Sequence, residues 1–124
     1  MTENEIAQKV IGLAIKIHRE LGPGLLEKVY HECLFYEIQT SGMKVKREVM
    51  LGINYGEVRI ENAYRLDLLV EEKLIVELKS VNELNGLHFA QLLTYLRLSK
   101  KRLGLLFNFN EVLLKDGIMR VINN

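Results

Sequence analysis

The sequence is poor in residues that cross-link or interrupt a chain. It contains one cysteine, one proline and nine glycines among 124 residues. The lone Cys33 excludes an intramolecular disulfide and a zinc site built from clustered cysteines. The low glycine and proline content excludes a collagen-like chain and argues against disorder. Because 48% of the residues are hydrophobic, we expect a folded protein with an ordinary core.

Long apolar segments and a marked charge of one sign are also missing. No apolar run approaches the roughly 18 residues that cross a bilayer, and residues 1–5 are polar and acidic, unlike a signal peptide. We expect a soluble, cytoplasmic protein without membrane contact, folded as one domain over residues 1–124. The net charge is only +1, whereas proteins that wrap nucleic acid nonspecifically usually carry a basic excess.

Hydrophobic spacing predicts an α/β protein. Apolar residues recur every three or four positions in three segments, and runs rich in β-branched and aromatic residues fill the others. The predicted elements are helices over 3–21, 25–40 and 87–99 and strands over 45–55, 58–70, 74–81, 103–109 and 118–122. This order, α-α-β-β-β-α-β-β, predicts a mixed sheet with helices packed on its faces. In the second helix we expect Leu26, Val29, Cys33 and Leu34 to face inward.

Two carboxylates and a lysine stand out in two largely apolar stretches, residues 64–70 and 74–80. Asp67 lies in the second strand, and Glu77 and Lys79 lie in the third. Because side chains alternate along a strand, Glu77 and Lys79 share a face. If residues 71–73 form a three-residue hairpin loop, Val70 pairs with Leu74. Asp67 then stands opposite Glu77, with Cβ atoms about 4.5–5.5 Å apart. A two-residue loop would put the two carboxylates on opposite faces.

Two carboxylates that face each other inside a sheet repel each other and lose hydration. A divalent cation removes both costs, and Mg²⁺ commonly takes one or two carboxylates together with waters. The ammonium of Lys79, on the same face, suits the activation of a water or the neutralisation of charge on a phosphate. The alternative is a solvated strand face with a cross-strand ion pair, and the spacing alone leaves both interpretations open.

Two helices contribute further polar side chains. Gln91 and Tyr95 are four residues apart, and we expect them on the face of the third helix opposite its apolar stripe. Glu27 lies in the first turn of the second helix, where the macrodipole favours a carboxylate. Tyr30 follows three residues later, so the two side chains can lie over the same region of the sheet. The histidines show no zinc-binding spacing.

These motifs resemble those of a known family. Gly24-x-x-Glu27-x-x-Tyr30 resembles the signature of the GxxExxY protein family, which is placed among the PD-(D/E)xK nuclease-like folds. Asp67 followed by Glu77-x-Lys79 resembles the core motif of that superfamily, with Leu66 in place of the usual proline. Gln91-x-x-x-Tyr95 resembles the Gln-x-x-x-Tyr motif of its RecB-like branch. The motifs stand in the matching order, and the resemblance covers about residues 6–110.

The resemblance implies a restriction-endonuclease-like core and a nuclease that acts on DNA or RNA. In such a site Asp67, Glu77 and Glu27 would bind Mg²⁺, for which Mn²⁺ can substitute. Lys79 would assist the attack of water on a phosphodiester, so these four residues form the implied catalytic set. The residues implied to contact substrate or orient neighbouring groups are Gln91, Tyr95 and Tyr30.

Two other functions remain open from the sequence. A non-catalytic nucleic-acid-binding or protein-assembly module could keep the same fold, although such a module has no need of three charges inside a sheet. A different metal-dependent hydrolase could act on a nucleotide-like substrate. A chain of this length has little room to read base sequence. We therefore expect a homodimer or an unidentified partner protein to supply any selectivity.

Overall fold

The computed structural model describes residues 1–124, and it confirms the predicted order of helices and strands. The elements are α1 (Glu3–Leu21), α2 (Glu27–Thr40), β1 (Val45–Tyr55), β2 (Val58–Val70), β3 (Leu74–Lys79), α3 (Gly86–Ser99), β4 (Leu103–Asn108) and β5 (Ile118–Ile122). A short 3₁₀ helix, Leu114–Gly117, precedes β5. The five strands form one sheet in the order β1-β2-β3-β4-β5. Only β3 and β4 run parallel, because α3 carries the chain back between them.

The sheet separates two hydrophobic cores. On one face α1 and α2 pack through residues such as Val10, Ile17 and Leu34 against alternate residues of β2, β3 and β4. On the other face α3 packs through Leu92 and Leu96. The close approach of α3 depends on Gly104 in β4, because a Cβ there would lie only 2.9 Å from Leu92 Cδ1. None of the three helices is long and apolar enough to span a membrane.

The ends of α1 follow from its sequence. Thr2 accepts a hydrogen bond from the main-chain N–H of Glu5 at 3.2 Å, and the Glu5 carboxylate accepts one from the N–H of Thr2 at 2.9 Å. This capping box satisfies two N–H groups that the helix itself leaves without partners. Gly22 ends α1 with φ at +74°, a conformation that costs glycine little. The chain then turns towards α2.

The hairpin between β2 and β3 has the predicted three-residue loop. Val70 pairs with Leu74, Leu69 with Ile75 and Leu68 with Val76. Continued by one pair, this register sets Asp67 opposite Glu77, but the backbone ladder ends at Leu68. The strands therefore diverge at the two carboxylates.

The pattern of buried residues in β2 also changes face at Asp67. Leu68 belongs to the core under α1 and α2, whereas Leu66, only two residues away, belongs to the core under α3. The residue facing Asp67 in the register of β1 is Glu48, whose φ is +55°. Two residues apart on a regular strand point to the same side, so this local irregularity interrupts the alternation. It places Asp67 where the two faces of the sheet meet.

The predicted inward face of α2 was wrong for two of its four residues, Leu26 and Val29, whereas Leu34 is buried and Cys33 packs against the same core. Tyr30, Leu34 and Ile38 are buried, while Leu26 is 77% exposed, Val29 is exposed and Cys33 is half-buried. Relative to the predicted orientation, α2 is turned so that the Tyr30 ring stacks on Phe109, with ring centroids 4.5 Å apart. That contact lies far along the sequence, so spacing within α2 did not reveal it.

Candidate functional site

Asp67 and Glu77 are joined through the main chain of each other's strands. The Glu77 carboxylate accepts a hydrogen bond from the N–H of Asp67 at 2.7 Å. The Asp67 carboxylate accepts one from the N–H of Leu78 at 2.9 Å. The side chains thus occupy the backbone donors that the diverging strands leave unpaired. The two carboxylates are thereby held at the same point in the sheet.

Glu77 is the most strongly perturbed acid of the molecule. The residue is only 4% exposed. Loss of hydration, followed by repulsion from Asp67, raises its pKa to about 8. The N–H of Asp67 and the charge of Lys79 oppose this rise in pKa without cancelling it. A buried carboxylate beside a second carboxylate favours either a bound proton or a bound cation.

Lys79 lies at the end of β3, two residues beyond Glu77. It is half-buried, and its charge favours the ionised forms of both Glu77 and Glu27. The four ion pairs of the molecule lie elsewhere and do not include Lys79. The structure therefore does not contain the alternative arrangement, a cross-strand ion pair of Lys79. The ammonium remains available to a further negative group.

Glu27 approaches the same region from the first residue of α2. Partial loss of hydration and the charge of Asp67 raise its pKa. One turn later, the ring nitrogen Nε2 of His31 lies 3.3 Å from the main-chain oxygen of Asp67, which ties α2 to β2. The structure thus brings Glu27, Asp67, Glu77 and Lys79 within electrostatic reach of one another.

A polar cleft opens between α2 and the sheet beside these residues. Its volume is about 280 Å³, and no hydrophobic side chain lines it. The lining residues are Glu27, Lys28, His31, Glu32, Glu48, Arg65 and Asp67. We call this space the polar cleft. Its mixture of carboxylates and cationic groups suits phosphate groups and hydrated cations better than an apolar ligand.

A second cleft of about 500 Å³ lies on the α3 side of the sheet. We call it the Lys79 cleft. Its lining residues are Tyr64, Lys79, Leu87, His88, Ala90, Gln91 and Thr94. Gln91 is exposed there, as the spacing predicted. Lys79 opens into this cleft, and Asp67 opens into the polar one.

Tyr95 is buried, whereas we expected it to be exposed beside Gln91 on α3. It is only 5% exposed, within the core under α3, and its ring packs against Tyr64 with centroids 5.5 Å apart. Loss of hydration and the negative charges of Glu77 and Asp67 raise its pKa to about 12. Tyr95 therefore keeps its phenolic proton, and it lies close enough to Glu77 and Asp67 for their charges to act on it.

Tyr30 does not join the candidate site, so its predicted contact with substrate needs correction. The side chain is fully buried. Its hydroxyl donates to the main-chain oxygen of Gly22 at 2.6 Å and accepts from the N–H of Leu25 at 3.1 Å. A ring without exposed surface cannot touch a substrate. Tyr30 instead fixes the turn that leads into Glu27.

Sequence reasoning missed several residues around the site. Glu48, Arg65 and His31 line the polar cleft, and Tyr64 lines the Lys79 cleft. A signal was present for Arg65, which lies two residues before Asp67 on the same strand. Glu48 could not be found in this way, because its position depends on the irregular backbone of β1.

The donor chemistry of the site fits a hard divalent cation that is held by two carboxylates. No group of three or more histidine, cysteine, aspartate or glutamate side chains is already gathered as a ligand set. The carboxylates of Asp67 and Glu77 supply oxygen donors, with Glu27 nearby. Mg²⁺ prefers oxygen ligands and usually retains several waters. Two carboxylates completed by waters therefore meet its requirements.

Comparison with protein-family models matches residues 4–121 to the PD-(D/E)XK nuclease superfamily. No curated protein matches the sequence. Among solved structures, the crystal structure of SSO0001 is similar, with a TM-score of 0.58 and 21% sequence identity. The match covers 78% of this chain and 50% of that chain, so the chain spans half the length of SSO0001 and shares its fold. Because the family model covers nearly the whole sequence, the protein belongs to the PD-(D/E)XK nuclease superfamily.

Proposed function

We propose that the protein is a Mg²⁺-dependent phosphodiesterase that cleaves DNA or RNA. The observation that carries this proposal is the buried Glu77 carboxylate, held against Asp67 by main-chain hydrogen bonds, with the unpaired Lys79 two residues further on. Burial of like charges costs stability. A fold retains such an arrangement more readily when it serves a ligand or a reaction.

Each residue of this group has a chemical task in the proposed reaction. Asp67 and Glu77 would bind the cation, and Glu27 would complete its surroundings directly or through water. The cation would supply positive charge to the scissile phosphate and lower the pKa of a water molecule. Lys79 would stabilise the negative charge that develops on the phosphate as water attacks. Tyr95 would hold the carboxylates in place as a neutral neighbour.

Within the superfamily we propose membership of the GxxExxY family. Each signature position has a separate structural task that supports this assignment. Gly24 takes φ at +91° in the turn before α2, and Glu27 begins the helix. Tyr30 closes the turn through its two main-chain hydrogen bonds. The signature therefore describes how the chain carries Glu27 to the sheet.

The proposed substrate is nucleic acid, in keeping with the superfamily, and a second copy or another protein would supply selectivity. The protein would act in the cytoplasm, where its free thiol, Cys33, stays reduced. Cleavage of internal bonds and cleavage from an end are both compatible with the open clefts beside Asp67 and Lys79.

The test is a cleavage assay on single- and double-stranded DNA and RNA with Mn²⁺ or Mg²⁺. We expect metal-dependent cleavage of at least one substrate, and its loss in the Lys79→Met variant. Lys9→Met is the matched control, because Lys9 is exposed on α1. Nucleic-acid binding without cleavage by the parent protein would support the alternative, a non-catalytic module. Equal cleavage by the parent and Lys79→Met would refute the mechanism.

A further inference from the structure

Two clefts of different chemical character flank the carboxylates. The polar cleft has no hydrophobic lining and contains Asp67. The Lys79 cleft combines the ring of Tyr64 and the side chain of Leu87 with hydrogen-bonding groups. A nucleotide chain likewise has two components, a charged backbone and bases with apolar faces and polar edges. The polar cleft suits the charged backbone of such a chain, and the Lys79 cleft suits one of its bases.

We propose that the Lys79 cleft binds one unpaired nucleobase next to the scissile phosphate, so that the protein prefers single-stranded nucleic acid. The proposal rests on the proposed phosphodiesterase function and names the class of its substrate. A base inside a duplex is stacked on both faces and paired through its Watson–Crick edge. An unpaired base can leave the stack and enter a cleft beside the backbone without the cost of breaking a base pair.

The lining supplies the contacts that a base requires. The volume of about 500 Å³ lies within the range of about 300–1,000 Å³ typical of small-ligand sites. Leu87 is 77% exposed, so apolar surface is available without rearrangement. The Tyr64 ring is fixed by its packing on Tyr95, and a fixed ring loses little entropy when a base stacks on it.

Polar groups of α3 can address the edge of the base. Gln91 is exposed and offers both an amide donor and a carbonyl acceptor. The Nδ1 atom of His88 accepts a hydrogen bond from the N–H of Asn85 at 3.1 Å, which leaves Nε2 as the donor in the neutral ring. The Thr94 hydroxyl donates to the main-chain oxygen of Ala90 at 3.0 Å, so its two lone pairs can accept. Lys79 lines the same cleft and lies two residues from the Glu77 carboxylate.

Fluorescence anisotropy with three labelled DNA ligands tests the proposal on the intact protein. The ligands are a single-stranded oligothymidylate, a strand of equal length with abasic sugars, and a duplex of equal length. Ca²⁺ replaces Mg²⁺, and a gel confirms that the strands stay intact. We expect the thymidylate strand to bind at least about 5-fold more tightly than the abasic strand, the lower end of what stacking of one base supplies. We also expect it to bind more tightly than the duplex.

Two exposed substitutions assign the effect to the Lys79 cleft. Leu87→Ser and Gln91→Ala should weaken binding of the thymidylate strand and leave the abasic strand unchanged. Ile122→Thr is the matched control, because Ile122 is 59% exposed and pairs with Leu103, at the opposite end of β4 from Asn108, the partner of Lys79. It should bind all three ligands like the parent.

Several outcomes would overturn the proposal. These are equal affinity for thymidylate and abasic strands, equal or tighter binding of the duplex, thymidylate binding unaffected by Leu87→Ser and Gln91→Ala, and no binding at all. The binding measurement does not depend on cleavage. Metal-dependent cleavage with no preference for unpaired bases would refute only the base site. A clear preference in binding without any cleavage would refute only the phosphodiesterase.

Discussion

The carboxylates of Asp67 and Glu77 each accept a hydrogen bond from the main chain of the opposite strand. The Asp67 carboxylate accepts from the N–H of Leu78, and the Glu77 carboxylate accepts from the N–H of Asp67. These bonds satisfy one oxygen of each side chain and leave the other oxygen without a main-chain donor. The pair is thus held in place before any ligand arrives. A preorganised pair of acceptors loses little entropy when it binds a cation.

A divalent cation should stabilise the folded protein. At a Mn²⁺ concentration about 100-fold above Kd, mass action should raise the Tm by about 10 °C in a domain of this size. Asp67→Asn and Glu77→Gln should remove most of this rise, because each keeps the shape of the side chain and deletes its charge. Differential scanning fluorimetry measures the change. Glu57→Gln, at the exposed hairpin turn, should respond like the parent, and an unchanged response in Asp67→Asn and Glu77→Gln would show that these residues are not ligands.

Tyr30 should contribute to stability and not to substrate binding. Tyr30→Phe keeps the stacking on Phe109 and loses the hydrogen bonds to Gly22 and Leu25, so the free energy of unfolding should fall by about 1–3 kcal/mol. Urea denaturation measures this loss, while KM for a cleaved oligonucleotide should stay the same. Tyr36→Phe is the control on the same helix, since Tyr36 is 63% exposed. A raised KM at unchanged stability would restore Tyr30 as a substrate contact.

Most elements, and the register that aligns Asp67 with Glu77, could be predicted because they depend on local patterns. Alternation of apolar residues marks the strands, and three loop residues fix the pairing of Val70 with Leu74. A hairpin of this kind leaves few alternative registers. The position of Glu77 and Lys79 on the same face of β3 follows from the same alternation.

The faces of the two tyrosines could not be predicted because they depend on long-range packing. Tyr30 is drawn inward by Phe109, which follows β4, and Tyr95 by Tyr64 of β2. Tyrosine carries both an apolar ring and a polar hydroxyl, so its presence does not show which face of a helix is buried. The change of face at Asp67 lies opposite Glu48, whose φ is positive, and was equally invisible in the sequence.

Without metal, stability should fall as the pH rises. The ordinary pKa of Glu77 is 4.5, and in the folded protein it is about 8. Between these values the folded state retains a proton that the unfolded state has released, so the free energy of unfolding falls with increasing pH. The loss should extend over about pH 5 to pH 8 and be complete above the folded pKa.

Thermal unfolding in EDTA at a series of pH values measures this slope. Glu77→Gln is neutral at every pH and should flatten the profile, whereas Glu57→Gln should keep it. Mn²⁺ should also reduce the slope, because the cation replaces the proton. A parent profile that rises from about pH 5 to about pH 8 would contradict the burial of Glu77 as a protonated acid.

The final prediction separates binding from chemistry at Lys79. Lys79→Met keeps an unbranched apolar chain and deletes the charge, so Glu77 and Asp67 should still bind Mn²⁺ and the rise in Tm should persist. An interaction made mainly in the transition state affects the rate more than ground-state binding. We therefore expect kcat to fall by about 10²-fold or more, with KM nearly unchanged. Single-turnover cleavage measures the rate of the chemical step, and the Mn²⁺-dependent Tm measures metal binding. Loss of the rate together with the metal response would assign Lys79 to the geometry of the carboxylates, and full activity would assign it no part in the reaction.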